Sequence, residues 1–244
     1  IIDITAVATA NSDVIIAQFA NPAGVTLMGN LTVTPTNVQI VENSADFEAD
    51  DVLMISNCAQ VDIFRATAVA LGGAGTTITH TNASNTGDTL AGAYGATNSQ
   101  IMRFESNLYF VGPSGLDEGD AYLNSRGESI SALYKVSANG ELTELVQGVE
   151  NLQLLYGQRL ATGNIRYVEA DDADLDMSRV VSLKFAVLMA TIDPVKTVDD
   201  TVTYNVNGTT VGPTGTSGVD VEYDPSDRRI RRVFSTAIYL RNKG

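Results

Sequence analysis

The amino-acid sequence predicts a mainly β fold, with antiparallel sheets and long loops. Short stretches rich in Val, Ile, Thr and aromatic residues recur about every 10 to 15 residues, separated by Gly, Asn, Asp and Pro. Apolar and polar residues alternate over the last third of the chain, and no long amphipathic helix is evident. A chain of 244 residues can bury a sizeable core and is long enough for one large β-rich domain or two small ones, and we expect one over residues 1–244.

The first half of the chain contains one clear hairpin signal. Two β-prone runs, 51–56 and 61–70, are joined by four residues, which predicts a hairpin with Cys58 at its turn. Residues 72–100 are rich in Gly, Thr, Asn, Ser and Ala and poor in large apolar groups. We therefore expect a loop-rich excursion there that buries little, with strand character resuming over 100–111.

The second half carries the clearest strand patterns. Runs 130–136 and 140–145 predict a hairpin around Asn139 and Gly140, and 201–206 with 219–223 predict another whose extended tip is the Gly/Thr/Pro-rich loop 206–218. Strands with one buried face show apolar residues at every second position. Three segments have this pattern: Leu152, Leu154 and Tyr156; Val181, Leu183, Phe185, Val187 and Met189; Ile230, Phe234, Ile238 and Leu240.

Charge and cysteine content narrow the classes of function. With 15 Lys and Arg against 29 Asp and Glu, the net charge of −14 repels phosphate backbones, so nucleic acid is not an expected partner. The single cysteine excludes a disulfide within the chain and a cysteine-rich metal site. No stretch of about 18 apolar residues is present to span a membrane. The sequence opens on a strand-like segment without Met, so we expect a segment upstream of Ile1 that was cleaved, truncated or left out.

Nucleophilic catalysis has few candidate residues. His80 is the only histidine, and its position in a Thr/Asn-rich stretch predicts a solvated loop residue rather than a catalytic base. Cys58 has no basic residue closer in sequence than Arg65 to lower its pKa, which favours a structural thiol. We therefore predict no enzymatic activity. A hydrolase using scattered carboxylates is the weaker alternative, and it would need two carboxylates about 5 to 10 Å apart in a pocket.

Two acidic runs offer oxygen ligands that Ca²⁺ could use. An EF-hand loop beginning at Asp172 would put Met177 where glycine is needed and Leu183 where an acidic residue is needed. We therefore expect solvated acidic turns and no cofactor, with Asp172, Asp174 and Asp176 as the Ca²⁺ alternative. The full runs are Asp171, Asp172, Asp174 and Asp176, and Asp220, Glu222 and Asp224.

Positive charge is concentrated near the C-terminus of this acidic chain. Neighbouring strand residues such as Arg231 and Arg232 point to opposite faces, which splits the cluster. We expect these side chains to pair with acidic residues of the same chain rather than to bind DNA. The cluster comprises Arg228, Arg229, Arg231, Arg232, Arg241 and Lys243.

Three segments of the second half carry a family resemblance. They are Leu-Val-Gln-Gly-Val-Glu-Asn-Leu-Gln-Leu-Leu-Tyr-Gly at 145–157, Arg-Val-Val-Ser-Leu-Lys-Phe-Ala-Val-Leu at 179–188, and 228–236 continuing through 240–242. In order and separation they resemble the C-terminal half of the PilW family of type IV pilus minor pilins, which are related to the pseudopilins of type II secretion. Residues 51–64 are similar to a further family region, and 11–14 more weakly so.

The resemblance implies a low-abundance structural subunit that helps to prime pilus assembly, in a tip complex with other minor pilins, and that supports adhesion, twitching motility or DNA uptake. It also implies an extracellular or periplasmic location at the cell surface. Family members are α+β proteins that begin with a leader and a long apolar helix, which would anchor the protein, so we expect this chain to be the head without that helix. One option for Cys58 is then a disulfide to a cysteine of the missing segment. The alternative function is a secreted carbohydrate- or surface-binding β-domain.

Overall fold

The computed structural model describes residues 3–31, 36–57 and 59–240. It confirms the predicted mainly β fold, with 47% of residues in strands and 4% in helices. Helix α1 is Ile4–Val7, and two 3-10 turns are Met177–Arg179 and Pro225–Asp227. The strands are β1 Ile15–Ala20, β2 Val25–Thr26, β3 Asn37–Ile40, β4 Val52–Ser56, β5 Val61–Arg65, β6 Ala68–Gly72, β7 Gly75–Thr79, β8 Gln100–Pro113, β9 Ser131–Val136, β10 Leu142–Gln147, β11 Val149–Arg159, β12 Ile165–Val168, β13 Val180–Ala190, β14 Tyr204–Val206, β15 Thr209–Pro213, β16 Val221–Tyr223 and β17 Arg231–Tyr239.

The chain divides into two compact units. One is Ile16–Asn107, and the other combines Ile1–Ile15 with Leu108–Gly244. The expectation of a single head domain stays a prediction.

The unit Ile16–Asn107 contains the first predicted hairpin. Strands β4 and β5 pair antiparallel, as predicted, and β4 also pairs with β8. The second β-prone run does not continue through residue 70, because it breaks after Arg65 and β6 joins β7 and β3 in a separate three-stranded sheet. Cys58, the expected turn residue, lies outside the described residues.

Residues 72–100 are not a loop throughout. Gly75–Thr79 forms β7, the central strand of the three-stranded sheet, although most of 80–99 is irregular. The expectation that this region buries little was wrong, because Leu90 and Tyr94 belong to the core of the unit. Tyr94 is held there by backbone bonds with Leu31 and by its hydroxyl, which donates to Asp62 at 2.7 Å. Long-range hydrogen bonds thus secure a polar sequence that few apolar side chains could anchor.

The second unit contains the second predicted hairpin. Strands β9 and β10 pair antiparallel, and Gly140 in their connection has a φ of +82°, which favours glycine. β9 also pairs with the end of β8, where Phe110 and Tyr134 stack with ring centroids 5.3 Å apart. The hairpin is confirmed.

A four-stranded antiparallel sheet in the order β12-β11-β13-β17 forms the centre of this unit. Its strands β11, β13 and β17 lie in the three segments in which alternating apolar residues predicted strands. The expected buried apolar face was wrong for β17, where Phe234 and Ile238 are 54% and 46% exposed. Two clusters of apolar side chains pack against the sheet strands. The first includes Val111, Val149, Leu152, Leu154, Phe185 and Val187; the second includes Ala186, Leu188, Val206, Val211, Tyr223 and Val233.

The predicted hairpin between 201–206 and 219–223 was wrong. β14 pairs antiparallel with β15, which lies inside the expected loop, and β15 then pairs in parallel with β16. The tight turn is at Asn207 and Gly208, whose φ angles are +53° and +109°. Asn-Gly is a strong hairpin signal that the sequence analysis overlooked.

Candidate functional site

Six charged side chains of the second unit meet beside the start of β17, and we call them the charge cluster. They come from β11, from the segment between β13 and β14, from the second 3-10 turn and from the residues that follow it. The cluster contains three carboxylates and three cations, so its formal charges balance. Its members are Glu150, Lys196, Asp200, Asp227, Arg229 and Arg231.

Arg231 is the centre of the charge cluster, and its side chain is 0% exposed. Its Nε donates to Glu150 Oε2 at 2.7 Å, and its Nη1 donates to Asp227 Oδ1 at 3.0 Å. Its Nη2 donates to both carboxylates. A guanidinium can satisfy several planar acceptors at once, which lysine cannot do. The guanidinium also lies over the ring of Tyr223, with its carbon 3.8 Å from the ring centroid.

Local geometry explains how these groups reach one another. Glu150 lies at a register shift between β11 and β13, where Val149 and Asn151 pair with consecutive residues of β13. Such a bulge redirects the side chain of the extra residue. The second 3-10 turn is capped by Asp224, whose carboxylate accepts from the Ser226 backbone N–H at 2.8 Å, and this turn presents Asp227 to the arginines.

Two further contacts complete the charge cluster. Arg229 donates from Nε to Asp227 Oδ2 at 2.8 Å and from Nη2 to Glu150. Asp200, whose side chain is buried, lies 3.5 Å from Arg231, pairs with Lys196 at 2.8 Å and accepts from the Tyr204 hydroxyl at 3.1 Å.

The surroundings favour the ionised forms of Asp227 and Asp200. Burial alone would raise the pKa of Asp227, but hydrogen bonds from Arg231 and Arg229 outweigh it and lower the pKa to about 2. Burial likewise opposes ionisation of Asp200, yet hydrogen bonds from Lys196, a backbone N–H and Tyr204 lower its pKa. Burial lowers the pKa of Arg231, whereas its two main carboxylate partners raise it more strongly.

This arrangement suits a structural clamp better than proton transfer. A cleft of about 260 Å³ beside the cluster is lined by Glu150 and Asp227, two carboxylates of the kind that a hydrolase would use. A hydrolase also needs one carboxyl that is protonated near neutral pH, and Asp227 with a pKa of about 2 cannot supply that proton. The charge cluster instead ties the start of β17 to the bulge of β11.

The acidic runs noted in the sequence stabilise turns. Asp172 accepts from Arg166 at 3.0 Å and from the Asp174 backbone N–H at 2.9 Å, while Asp176 caps the first 3-10 turn. Asp220 accepts from the Thr210 backbone N–H at 2.7 Å.

Within residues 3–31, 36–57 and 59–240, no three His, Cys, Asp or Glu side chains are grouped so as to hold a metal ion. The expectation of no cofactor stays a prediction, with Ca²⁺ at Asp172, Asp174 and Asp176 as its alternative, and calorimetric titration with Ca²⁺ would distinguish the two.

The expected solvation of His80 was wrong. The side chain is 1% exposed, and its ring lies against Phe64 with centroids 4.7 Å apart. Its backbone N–H donates to the Thr36 carbonyl at 2.8 Å. The polar residues around it in the sequence gave no sign of this position, which depends on the packing of β5 and β7.

The expected pairing of the basic cluster within the chain is confirmed for three of its arginines. Arg229 and Arg231 belong to the charge cluster, and Arg228 pairs with Asp199 at 3.0 Å. Arg232, which follows Arg231 in β17, is exposed, as the alternation of strand residues predicted. Arg241 and Lys243 lie outside the described residues.

Sequence reasoning missed Glu150 and Asp227 as partners of the arginines. One signal was present, since Glu150 is the one acidic residue of the β11 sequence and a carboxylate in a largely buried strand needs a cation. Asp227 had the weaker signal of lying two and four residues before Arg229 and Arg231.

Comparison with known proteins defines the class of chain to which this fold and cluster belong. The family model described as type IV pilus-assembly protein W matches residues 121–242, which is half of the chain and contains the charge cluster and the four-stranded sheet. The chain therefore belongs to the PilW family. No curated protein and no solved structure matched it. Among the residues that the structure describes, no helix has the length and apolar character needed to cross a membrane.

Proposed function

We propose that this chain is the head of a type IV pilus minor subunit, which acts through protein contacts in a tip or priming complex. The observation that carries the proposal is the family match over residues 121–242. The charge cluster and the four-stranded sheet lie in that region, so the matched part forms a rigid platform. A rigid sheet can position its edges and loops for binding other subunits.

The role is structural, and its place is the periplasm or the cell surface, where a pilus is assembled. The carboxylates beside the cleft are paired with arginines, which supports a non-enzymatic role. The partners are other pilins. The alternative of a carbohydrate- or surface-binding domain has no support from the comparisons and stays a prediction.

Two measurements test the proposal. Deletion of the gene should reduce the number of pili, and complementation with the full-length gene should restore it. The purified head should also retain candidate minor pilins from the same cell in a pull-down, whereas the same head unfolded by heat should not. Normal piliation in the deletion strain together with no retained pilin would refute the assembly role.

A further inference from the structure

The outer strand β17 is a long sheet edge without the usual protection. It pairs with β13 on one side from Ser182↔Tyr239 to Ala190↔Arg231, without a register shift. On its other side no strand pairs with it within residues 3–31, 36–57 and 59–240. Native edges are commonly short, bulged or interrupted by proline. β17 has nine residues and no proline, while the opposite edge, β12, has only four residues.

Two hydrogen bonds reveal which backbone groups of β17 face outward. Leu240 N–H donates to the Val181 carbonyl at 2.9 Å, and Thr191 N–H donates to the Ile230 carbonyl at 3.0 Å. In an antiparallel pair, alternate residues direct both backbone groups to the same neighbour. Even-numbered residues of β17 therefore bond to β13. The N–H and C=O groups of Val233, Ser235 and Ala237 point to the open edge.

Apolar side chains border this edge. Phe234 and Ile238 are 54% and 46% exposed, and they stand opposite Val187 and Leu183. Directly opposed residues share a face of the sheet, so an added strand would lie beside Phe234 and Ile238 on this face, with Thr236 between them.

The charge at this edge differs from that of the chain. Neither β13 nor β17 contains Asp or Glu, although the chain carries −14 overall. Arg232 is exposed on the same face as Phe234, and no carboxylate of the described residues lies within 4.0 Å of it. A second copy would bring a second Arg232 to this edge, whereas a carboxylate of an acidic strand would be attracted to Arg232.

We propose that the open edge of β17 binds an extended segment of another protein, which adds a strand to the sheet. The segment has apolar residues at alternate positions and a carboxylate that faces Arg232. Backbone hydrogen bonds to Val233, Ser235 and Ala237 supply affinity, and the apolar side chains beside the edge and the arginine supply specificity. The inference deepens the proposed function, on which its role in a pilus rests.

Two labelled nine-residue peptides serve as probes in fluorescence polarisation with the purified chain. Both alternate Val with Thr, and they carry either Glu or Lys at the two ends. The Glu peptide should bind at least about ten-fold more tightly than the Lys peptide, because only it complements Arg232. Equal binding of the two peptides, or no binding of either at millimolar protein, would overturn the proposal.

Ser235→Pro removes one outward N–H and leaves the bonds to β13 in place. It should weaken Glu-peptide binding at least about ten-fold, while Ser235→Ala, which keeps the N–H, should bind like the unaltered chain. Far-UV circular dichroism checks that both variants fold. Unchanged affinity of folded Ser235→Pro would contradict strand addition.

Arg232→Glu gives an independent result should Ser235→Pro not fold. It should reverse the preference, so that the Lys peptide binds more tightly. If Arg232→Glu still bound the Glu peptide more tightly, the proposal that the bound segment carries a carboxylate facing Arg232 would be refuted. Light scattering tests whether a second copy of the chain binds this edge instead. If the unaltered chain forms a dimer and Ser235→Pro abolishes it, the edge binds a second copy and the proposal of an acidic partner is overturned. Because purified chain and peptides suffice, these outcomes are separate from the piliation result.

Discussion

Replacing Arg231 by leucine tests whether the charge cluster stabilises the second unit. The guanidinium is 0% exposed, donates to Glu150 and Asp227 and lies over Tyr223. Its removal leaves the buried carboxylate of Asp227 and the partly buried carboxylate of Glu150 without their main cation. Breaking a buried ion pair by removing one partner costs about 3 to 5 kcal/mol. Arg232→Leu is the matched control, because that neighbour is exposed, and it should change the free energy of unfolding by about 0.5 kcal/mol or less.

Urea unfolding followed by circular dichroism measures both variants. For a unit of this size, a loss of about 3 to 5 kcal/mol corresponds to a fall in melting temperature of roughly 6 to 20 °C. The effect of Arg231→Leu should persist in high salt, since buried pairs are screened much less than surface pairs. Adding Asp227→Asn should cost less in the Arg231→Leu background than in the unaltered chain, because the two side chains interact directly. If Arg231→Leu cost no more than Arg232→Leu, the clamp would be refuted.

Three further predictions concern pH, a buried hydroxyl and a glycine. The pKa of Asp227 is lowered from 3.8 to about 2, so its ionised form adds about 2 kcal/mol to the free energy of unfolding above pH 4, and this contribution is lost as the pH falls towards 2. In acid-unfolding curves, Asp227→Asn should therefore make stability depend less on pH over this range. The Tyr134 hydroxyl donates to Glu144 at 2.6 Å, and this bond lowers the pKa of Glu144. Tyr134→Phe should therefore lower the free energy of unfolding by about 1 to 3 kcal/mol, measured with urea, and raise the pKa of Glu144, measured by carboxyl NMR. No change in either quantity would show that the hydroxyl does not stabilise the unit. Gly148 and Gly140 both have φ near +80°, but a Cβ would meet a carbonyl oxygen at 2.4 Å only at Gly148. Gly140→Ala should thus cost about 1 kcal/mol and Gly148→Ala clearly more in thermal unfolding, and equal losses would contradict the steric argument.

Elements with local signals were the ones that sequence reasoning placed correctly. The β9–β10 hairpin follows from two β-prone runs and Asn139-Gly140, all within a short stretch of chain. The alternating strands β11 and β13 follow from period two, which depends only on the residues of each strand.

The regions predicted wrongly depend on contacts that are distant in sequence, with one exception. His80 and Tyr94 lie among small polar residues in the sequence, and they are buried because they pack against other strands. Nothing in 72–100 by itself indicates that Gly75–Thr79 pairs with both β3 and β6. The exception is Asn207-Gly208, a local signal for the β14–β15 turn that was present and overlooked.

The sequence by itself determined the β class and the kinship with PilW proteins, because alternation and family motifs are carried by neighbouring residues. Only the tertiary structure decided which carboxylates meet Arg231, since Glu150 lies 81 residues away and reaches it from a bulge. It also decided that β17 is an edge strand. Pairing order depends on how distant segments assemble, and period-two patterns are the same in edge and central strands.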